Sequence, residues 1–437
     1  MKQDMSLSRI LKLTAPAIFM MLFLSTYTIV DGAFVSKFIN TDALSGLNIV
    51  YPYVNFLLGV SIMLSAGGCA LVMKKMGEGK STEAKKDFTL IIVFATVLSI
   101  FISIISLIFL DSLLKLFKAE GALYVYAKEY LFYIILFATP TILKSIVEQF
   151  LISINKPHIS LLLTILGGSL NIFLDYVFIV VFKWGIKGAA IATGLGYAVP
   201  AFIGILFFIK KSNFLHFLPP TKDIKVILKS CYNGSSEMIS QLSNGIITFL
   251  FNMVMLKHLG VDGVASITIV LYIQFLITSV FLGYCIGIAP RISFYYGDNN
   301  PEVLKKIINI SFKFTAVISV IIYIIILILS PTLIRFFTQE GTKVYDITMK
   351  GIKLYSLSFL FVGFNIFTSG MFTAFSNGKV SATISFLKTL VFESLCIILF
   401  SIMFGVIGIW LAVPTAQVLG ILVCFYYYKK YKNVYGY

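Results

Sequence analysis

Residues 10–39 read ILKLTAPAIFMMLFLSTYTIVDGAFVSKFI, and from Leu13 to Val35 the run is apolar for long enough to cross a bilayer as a helix. One residue in it is out of place, Asp31. A carboxylate inside a spanning helix costs roughly 2.5–3.5 kcal/mol on insertion scales, so chains seldom carry one without a use for it. Pro16 removes a backbone hydrogen bond near the start of the same helix and allows a kink there. Tyr27 lies four residues before Asp31, one turn away on the same face. This helix reads as the moving, titrating part of a transport protein, with the rest of the chain built around it.

The composition excludes most other classes. Of 437 residues, 59% are hydrophobic and only 12% charged, and the mean hydropathy is +0.95. A chain that apolar is a polytopic membrane protein. The net charge of +16 would suggest nucleic acid in a soluble domain, but the lysines fall in short loops between apolar runs, as topology signals do. No nucleic-acid partner is expected; membrane lipid is. The five cysteines (Cys69, Cys231, Cys285, Cys396, Cys424) have no paired spacing, which argues against a disulfide framework or a zinc site. The first run is too long for a signal peptide and stays as the first span.

Counting apolar runs gives about twelve spans: 13–35, 47–73, 88–110, 129–153, 159–182, 188–209, 234–257, 264–294, 310–330, 352–375, 381–404 and 406–428. With the amino terminus inside, 20 of the 35 Lys and Arg residues fall in inner segments and 11 in outer ones, which puts both termini in the cytoplasm of a cell (plasma or inner) membrane. The chain also repeats itself at a shift of 220 residues. Gly67, Gly77, Lys85 and Lys86 meet Gly287, Gly297, Lys305 and Lys306; Gly121 meets Gly341; Gly185, Gly188 and Ala192 meet Gly405, Gly408 and Ala412. Six spans per half is an even number, so both halves insert the same way round. The expected fold is all-α, with twelve transmembrane helices in two six-helix bundles related by a pseudo-two-fold axis along the membrane normal. The expected lobes are 1–209 and 234–437, joined by a cytoplasmic linker, 210–233, that carries Pro219-Pro220 and a short amphipathic piece at 223–229.

The buried polar residues do not repeat. Asp31 aligns with Phe251, Asn171 with Val391, Asp175 with Leu395 and Thr193 with Val413. At 1.5 Å per residue, Asp31, Asp175 and Thr193 all lie roughly 6–11 Å below the outer boundary. Asn171 is one turn deeper than Asp175, and Gly167, Gly168, Gly194 and Gly196 would let the fifth and sixth spans approach closely. Two carboxylates, an amide and a hydroxyl at one depth offer hard oxygen ligands for a transient sodium ion, or a carboxylate pair that shares a proton. The alternative is that each acid separately satisfies a neighbouring helix. Four more residues are candidates for a substrate cavity: Glu148, Glu237, Asn365 and Glu393. Lys144 is one turn before Glu148 and suits an ion pair with it, while Glu237 suits either a first-turn cap or the cavity. Lys388 and Glu393 are five apart and share no α-helical face; Arg291, near the inner end of the eighth span, can snorkel.

The motifs LTAPAI (13–18), VDGAFVSKF (30–38), TDALSGLNIVYP (41–52), GGCALVMKKMGEGK (67–80), NIFLDYVF (171–178), WGIKGAAIAT (184–193), HLGVDGVASITIV (258–270) and GIAPRISFYYGDNN (287–300) resemble the multidrug and toxic compound extrusion (MATE) transporters over essentially the whole length. The branch they resemble most is the DNA-damage-inducible-protein-F-like one. The resemblance implies a twelve-helix antiporter that expels drugs in exchange for protons or sodium. It also implies a first-lobe cation site at Asp31, Asn171, Asp175 and Thr193 with Tyr27 nearby, and a first helix that bends at Pro16. The tenth span lacks the acid that another branch carries there and offers only Asn365; Glu237 matches that branch's seventh-helix glutamate in part.

The expected function is therefore secondary antiport, exporting hydrophobic or cationic drugs or toxic metabolites, by a monomer that is not an enzyme and needs no cofactor beyond the coupling proton or sodium ion. The alternative is a lipid-linked oligosaccharide flippase of related fold, which would need a cationic cavity; Lys144, Lys388 and Arg291 are its candidates.

Overall fold

In lipid every backbone N–H and C=O must find a partner within its own segment, and this chain answers with helices almost throughout. The computed structural model describes residues 5–39, 41–117, 119–211 and 214–437. The first half consists of α1 (Leu7–Phe38), α2 (Thr41–Gly77) and α3 (Ser81–Ile108), a short helix Leu110–Leu116, and then three more spans. In these, α4 comprises Gly121–Leu136 and Ala138–Ser153, α5 runs Pro157–Asp175 and continues as a π-helical turn Tyr176–Val181, and α6 covers Ile186–Ile209.

The second half holds two continuous helical runs too long for one crossing each. Ile224–Gly297 has 74 residues, about 110 Å if straight, against a bilayer core of about 30 Å. Gly260, at φ 65° and ψ −154°, divides it into α7 (224–259) and α8 (261–297). Only glycine occupies that backbone region without strain. Beyond α9 (Pro301–Arg335) comes α10, made of Lys343–Tyr355, a 3-10 turn Ser356–Ser358 and Phe359–Ala374. The final run, Gly378–Tyr435, is broken at Gly405 (φ 56°, ψ −134°) into α11 (378–404) and α12 (406–435). Among the described residues nine helices are long and apolar enough to cross, the bent pair in α4 adds a tenth, and the two glycine breaks bring the crossings to twelve.

The repeat is visible in the backbone irregularities. The two parts of α4 meet at 53°, because Pro140 has no N–H and its ring crowds the Leu136 carbonyl one turn back. At the equivalent place α10 tightens into its 3-10 turn without a proline, and the Ser356 hydroxyl donates to the Lys353 carbonyl at 3.2 Å. Gly185 starts α6 at φ 62°, as Gly405 precedes α12. Helix α7 begins ten residues earlier than the sequence reading placed its span. Asp223 caps it, accepting the Lys225 N–H at 3.0 Å, so the amphipathic piece at 223–229 is the first turns of α7 rather than a separate element.

The two bundles close on one another at the face that carries the chain termini. A Cβ added at Gly77 of α2 would run into the Phe294 carbonyl of α8, and one added at Gly297 of α8 would run into the Lys74 carbonyl of α2. These are the same contact seen twice through the pseudo-two-fold. Arg291 lies beside this seal with only 2% of its surface exposed, and its Nε and Nη1 have no hydrogen-bond partner among the described residues. It does not snorkel. Its guanidinium stands near Cys69 of α2 and Arg9 of α1, so the packed bundles cover the route to water that a lone helix would leave open.

Candidate functional site

Each half gathers buried polar side chains at its centre. In the first, Asp31 comes from α1, Asn171 and Asp175 from consecutive turns of α5, and Thr193 from α6. Gly167 lies so close to the Gly196 carbonyl that a side chain on either would separate α5 from α6, whereas Gly168 makes room for Phe23 and Tyr27 of α1, and Gly194 for Phe137 of α4. The expected glycine approach thus brings together four helices rather than two. The carboxyls of Asp31 and Asp175 lie within hydrogen-bonding reach of one another, and the Asn171 amide within reach of Asp31. Asn171 Nδ2 donates to Thr193 Oγ1 at 3.4 Å. Asp175 is fully buried and Asn171 nearly so. Four oxygens (Asp31 Oδ1, Asn171 Oδ1, and both of Asp175) are buried with no donor to satisfy them among the described residues.

A tyrosine shell surrounds these oxygens. The Tyr27 hydroxyl donates to the Tyr197 hydroxyl at 3.5 Å, and Tyr51 and Tyr130 stand within electrostatic reach of Asp31. Beyond Tyr197 the polar chain continues. The Lys144 ammonium lies 5.6 Å over the Tyr197 ring and 2.9 Å from Glu148, and Thr164 donates to Glu148 Oε1 at 2.7 Å. Glu148 is therefore held inside the first bundle by its own lysine and by Thr164. Sequence reasoning missed Tyr197, although it follows Thr193 by one turn just as Asp31 follows Tyr27.

The second half has a polar network of its own. Glu393 is buried and accepts from Gln417 Nε2 at 3.0 Å. Asn365 Nδ2 donates to the Gln417 side chain at 2.7 Å, and Cys424 Sγ donates to Asn365 Oδ1 at 3.3 Å. Glu393 and Asn365 thus belong to an internal network of α10, α11 and α12. Glu237 is half-buried on α7 near Cys285 of α8. Lys388 and Glu393 do share a face, contrary to the α-helical reading. They lie in a π-helical stretch, Phe386–Glu393, whose i to i+5 pattern stacks residues five apart. The five cysteines are free thiols. Among the described residues no cluster of three His, Cys, Asp or Glu side chains is built to hold a metal ion.

The sequence pattern of the MatE family matches residues 16–177 and again 238–398, so it finds the repeat as well as the chain. The chain belongs to the MatE family. As a MatE protein it is a multi-pass membrane transporter and not an enzyme. It is 24% identical over 408 residues, 90% of its length and 86% of the relative's, to the multidrug export protein MepA of Staphylococcus aureus (strain bovine RF122 / ET3-1). MepA of Staphylococcus saprophyticus is 23% identical over 88% of this chain and 84% of its own. The fold superposes on a MATE crystal structure in complex with MaL6 at a TM-score of 0.92, with 21% identity and coverage of 97% of this chain and 96% of that one. A MATE structure in a bent conformation gives 0.89, 22% identity, and 97% and 95% coverage. The donor-less oxygens sit where α1 meets the α5–α6 pair, inside one bundle.

Proposed function

We propose that this MatE protein is a secondary antiporter that exports hydrophobic, cationic drugs or toxic metabolites in exchange for protons or sodium ions. Its working parts are lobes 1–209 and 234–437, joined by the linker 210–233, acting as a monomer in the cell membrane with both termini in the cytoplasm. The observation that carries the coupling site is the set of four buried oxygens without a donor, from Asp31, Asn171 and Asp175. Two carboxylates that close repel one another unless a proton or a cation sits between them. Thr193 and the Asn171 carbonyl complete a set of hard oxygen ligands, and Tyr27 supports it from the next turn. Buried charge without a donor is costly, so the cluster gains more from an incoming cation than exposed acids would.

Loading then moves α1. With the cation in place, Asp31 and Asp175 attract a common partner, and α1 draws towards α5. The same helix lines the seal: Gly283 and Gly287 of α8 pack against Ala17, Ile18 and Thr14, which flank Pro16. Pro16 leaves one backbone carbonyl unbonded, so bending concentrates where α1 touches the opposite lobe. Each elementary charge moving down 100 mV supplies about 2.3 kcal/mol, enough for more than a tenfold cargo gradient. The flippase reading has weaker support, since Lys144 is paired with Glu148 and Arg291 is buried beside the seal, leaving only Lys388 of its candidate cations.

Proteoliposomes holding the wild-type chain or Asp31→Asn, with pH and sodium gradients imposed separately, test the proposal. The wild type should drive dye transport with at least one gradient, and the variant with neither, while remaining folded. Gradient-driven transport by Asp31→Asn contradicts the assignment.

A further inference from the structure

Five residues apart on an α-helix, two side chains point about 140° away from each other. Lys388 and Glu393 escape that geometry because both belong to the π-helical stretch Phe386–Glu393. Glu393 is committed to its hydrogen bond with Gln417, which is tied in turn to Asn365. The Lys388 stem runs past Gly420 of α12, where an added Cβ would come within 3.1 Å of Lys388 Cγ. Its ammonium is within electrostatic reach of Glu393 on its own helix and of Glu237 across on α7. Among the described residues no carboxylate oxygen lies within ion-pair distance of that ammonium, and Lys388 and Glu237 are both half-buried. Among the described residues the second lobe therefore carries a lysine that no acid has claimed, within electrostatic reach of an acid that has no hydrogen-bond partner.

We propose that Lys388 is a specificity-determining residue: a resident cation beside Glu237 that limits the cargo to one positive charge, so that the protein takes organic monocations and discriminates against dications of the same shape. Glu393 is engaged by Gln417, so Glu237 is the acid left to face one positive charge of the cargo, and Lys388 stands as a fixed positive charge within electrostatic reach of it. A second positive charge on the cargo meets the lysine instead of an acid, and across a protein interior like charges a few ångströms apart repel strongly. The first lobe has the opposite arrangement, with two acids and no lysine between them, and so receives its cation from outside. The inference rests on the export reading above only for its biological meaning; the preference itself is an equilibrium property.

Ethidium and propidium share a planar chromophore and differ by one quaternary charge, so their fluorescence titration against purified protein isolates the charge effect. The wild type should bind ethidium in preference to propidium. Lys388→Gln should reduce that preference about tenfold or more, and Lys388→Met, which keeps the stem packed on Gly420, should do the same. Lys388→Arg should retain the preference, and Glu237→Gln should weaken both dyes. An unchanged preference in both neutral variants overturns the proposal, as does loss of the preference in Lys388→Arg to the same degree as in Lys388→Gln. If the preference responds to Lys388 in a protein that transports neither dye, the export reading fails and this one stands.

Discussion

The fifth helix of each lobe carries a buried acid beside a π-helical turn, but the two acids live differently. Asp175 closes the α-helical part of α5, just before Tyr176–Val181, and both its oxygens lack a donor. Glu393 ends the π-helical stretch of α11, and Gln417 donates to it at 3.0 Å. One lobe has two carboxylates in reach of each other and no nearby cation of its own at that spot; the other supplies a lysine and an amide network. Each lobe thus has a widened turn on its fifth helix, but not at equivalent residues: at the 220-residue shift Tyr176–Val181 falls on 396–401, past the end of Phe386–Glu393, and the side chains beside the two turns have diverged, one acid without a donor and one satisfied by Gln417. The seal at the terminus-bearing face shows the converse, since Gly77 with Phe294 and Gly297 with Lys74 have stayed equivalent. Packing constrains both copies alike, whereas under the proposed coupling only one copy would bind the driving ion.

Four sets of substitutions would break or sharpen that contrast. The largest effect is expected from Asp175→Asn, which should lower gradient-driven transport about hundredfold or more, while Glu393→Gln stays within a few-fold of wild type; a loss of about 2.7 kcal/mol of coupling corresponds to the former. Transport assays in proteoliposomes read both, and equal losses would erase the difference between the lobes. Next, Lys144→Met should destabilise the protein by about 3–5 kcal/mol, because it strands Glu148 as a buried unpaired charge. Replacing Lys144 and Glu148 together with apolar residues should recover most of that loss in thermal melting.

The third concerns the symmetric part. Gly77→Ala and Gly297→Ala each force a methyl against a carbonyl oxygen and should cost about 1–3 kcal/mol. The two costs should match. Labelling of the buried Cys69 thiol by a membrane-permeant maleimide should rise equally in both variants, and a lopsided result would show that the seal is not shared. The smallest effect is Tyr197→Phe, which removes the hydroxyl that meets Tyr27 and should weaken cation affinity two- to fivefold, about 0.5–1 kcal/mol.

Much of this was legible in the sequence. Twelve apolar runs, a shift of 220 that superposes glycines, and acids present in one copy only are direct consequences of burial in lipid and of duplication. The cluster of Asp31, Asn171, Asp175 and Thr193 followed from depth and helical spacing, because regular α-helices transmit both faithfully. Where the backbone leaves the α-helix the spacing misleads. The π-helical stretch that aligns Lys388 with Glu393 adds no proline or glycine to announce itself, and a rule of 3.6 residues per turn puts them on different faces. Arg291 was misjudged because snorkelling depends on what crosses above a helix, and that is a tertiary fact. The reach of Tyr197 towards Lys144 likewise needs the packing of α4 against α6.

The central claim is that the driving cation binds in the first lobe alone. Its most direct test is equilibrium binding to purified protein, counting protons released on a pH-indicator dye and sodium retained by scintillation proximity, for wild type, Asp31→Asn and Glu393→Gln. The account predicts one cation site in the wild type and in Glu393→Gln, and none in Asp31→Asn. A site that survives in Asp31→Asn, or disappears in Glu393→Gln, would contradict it.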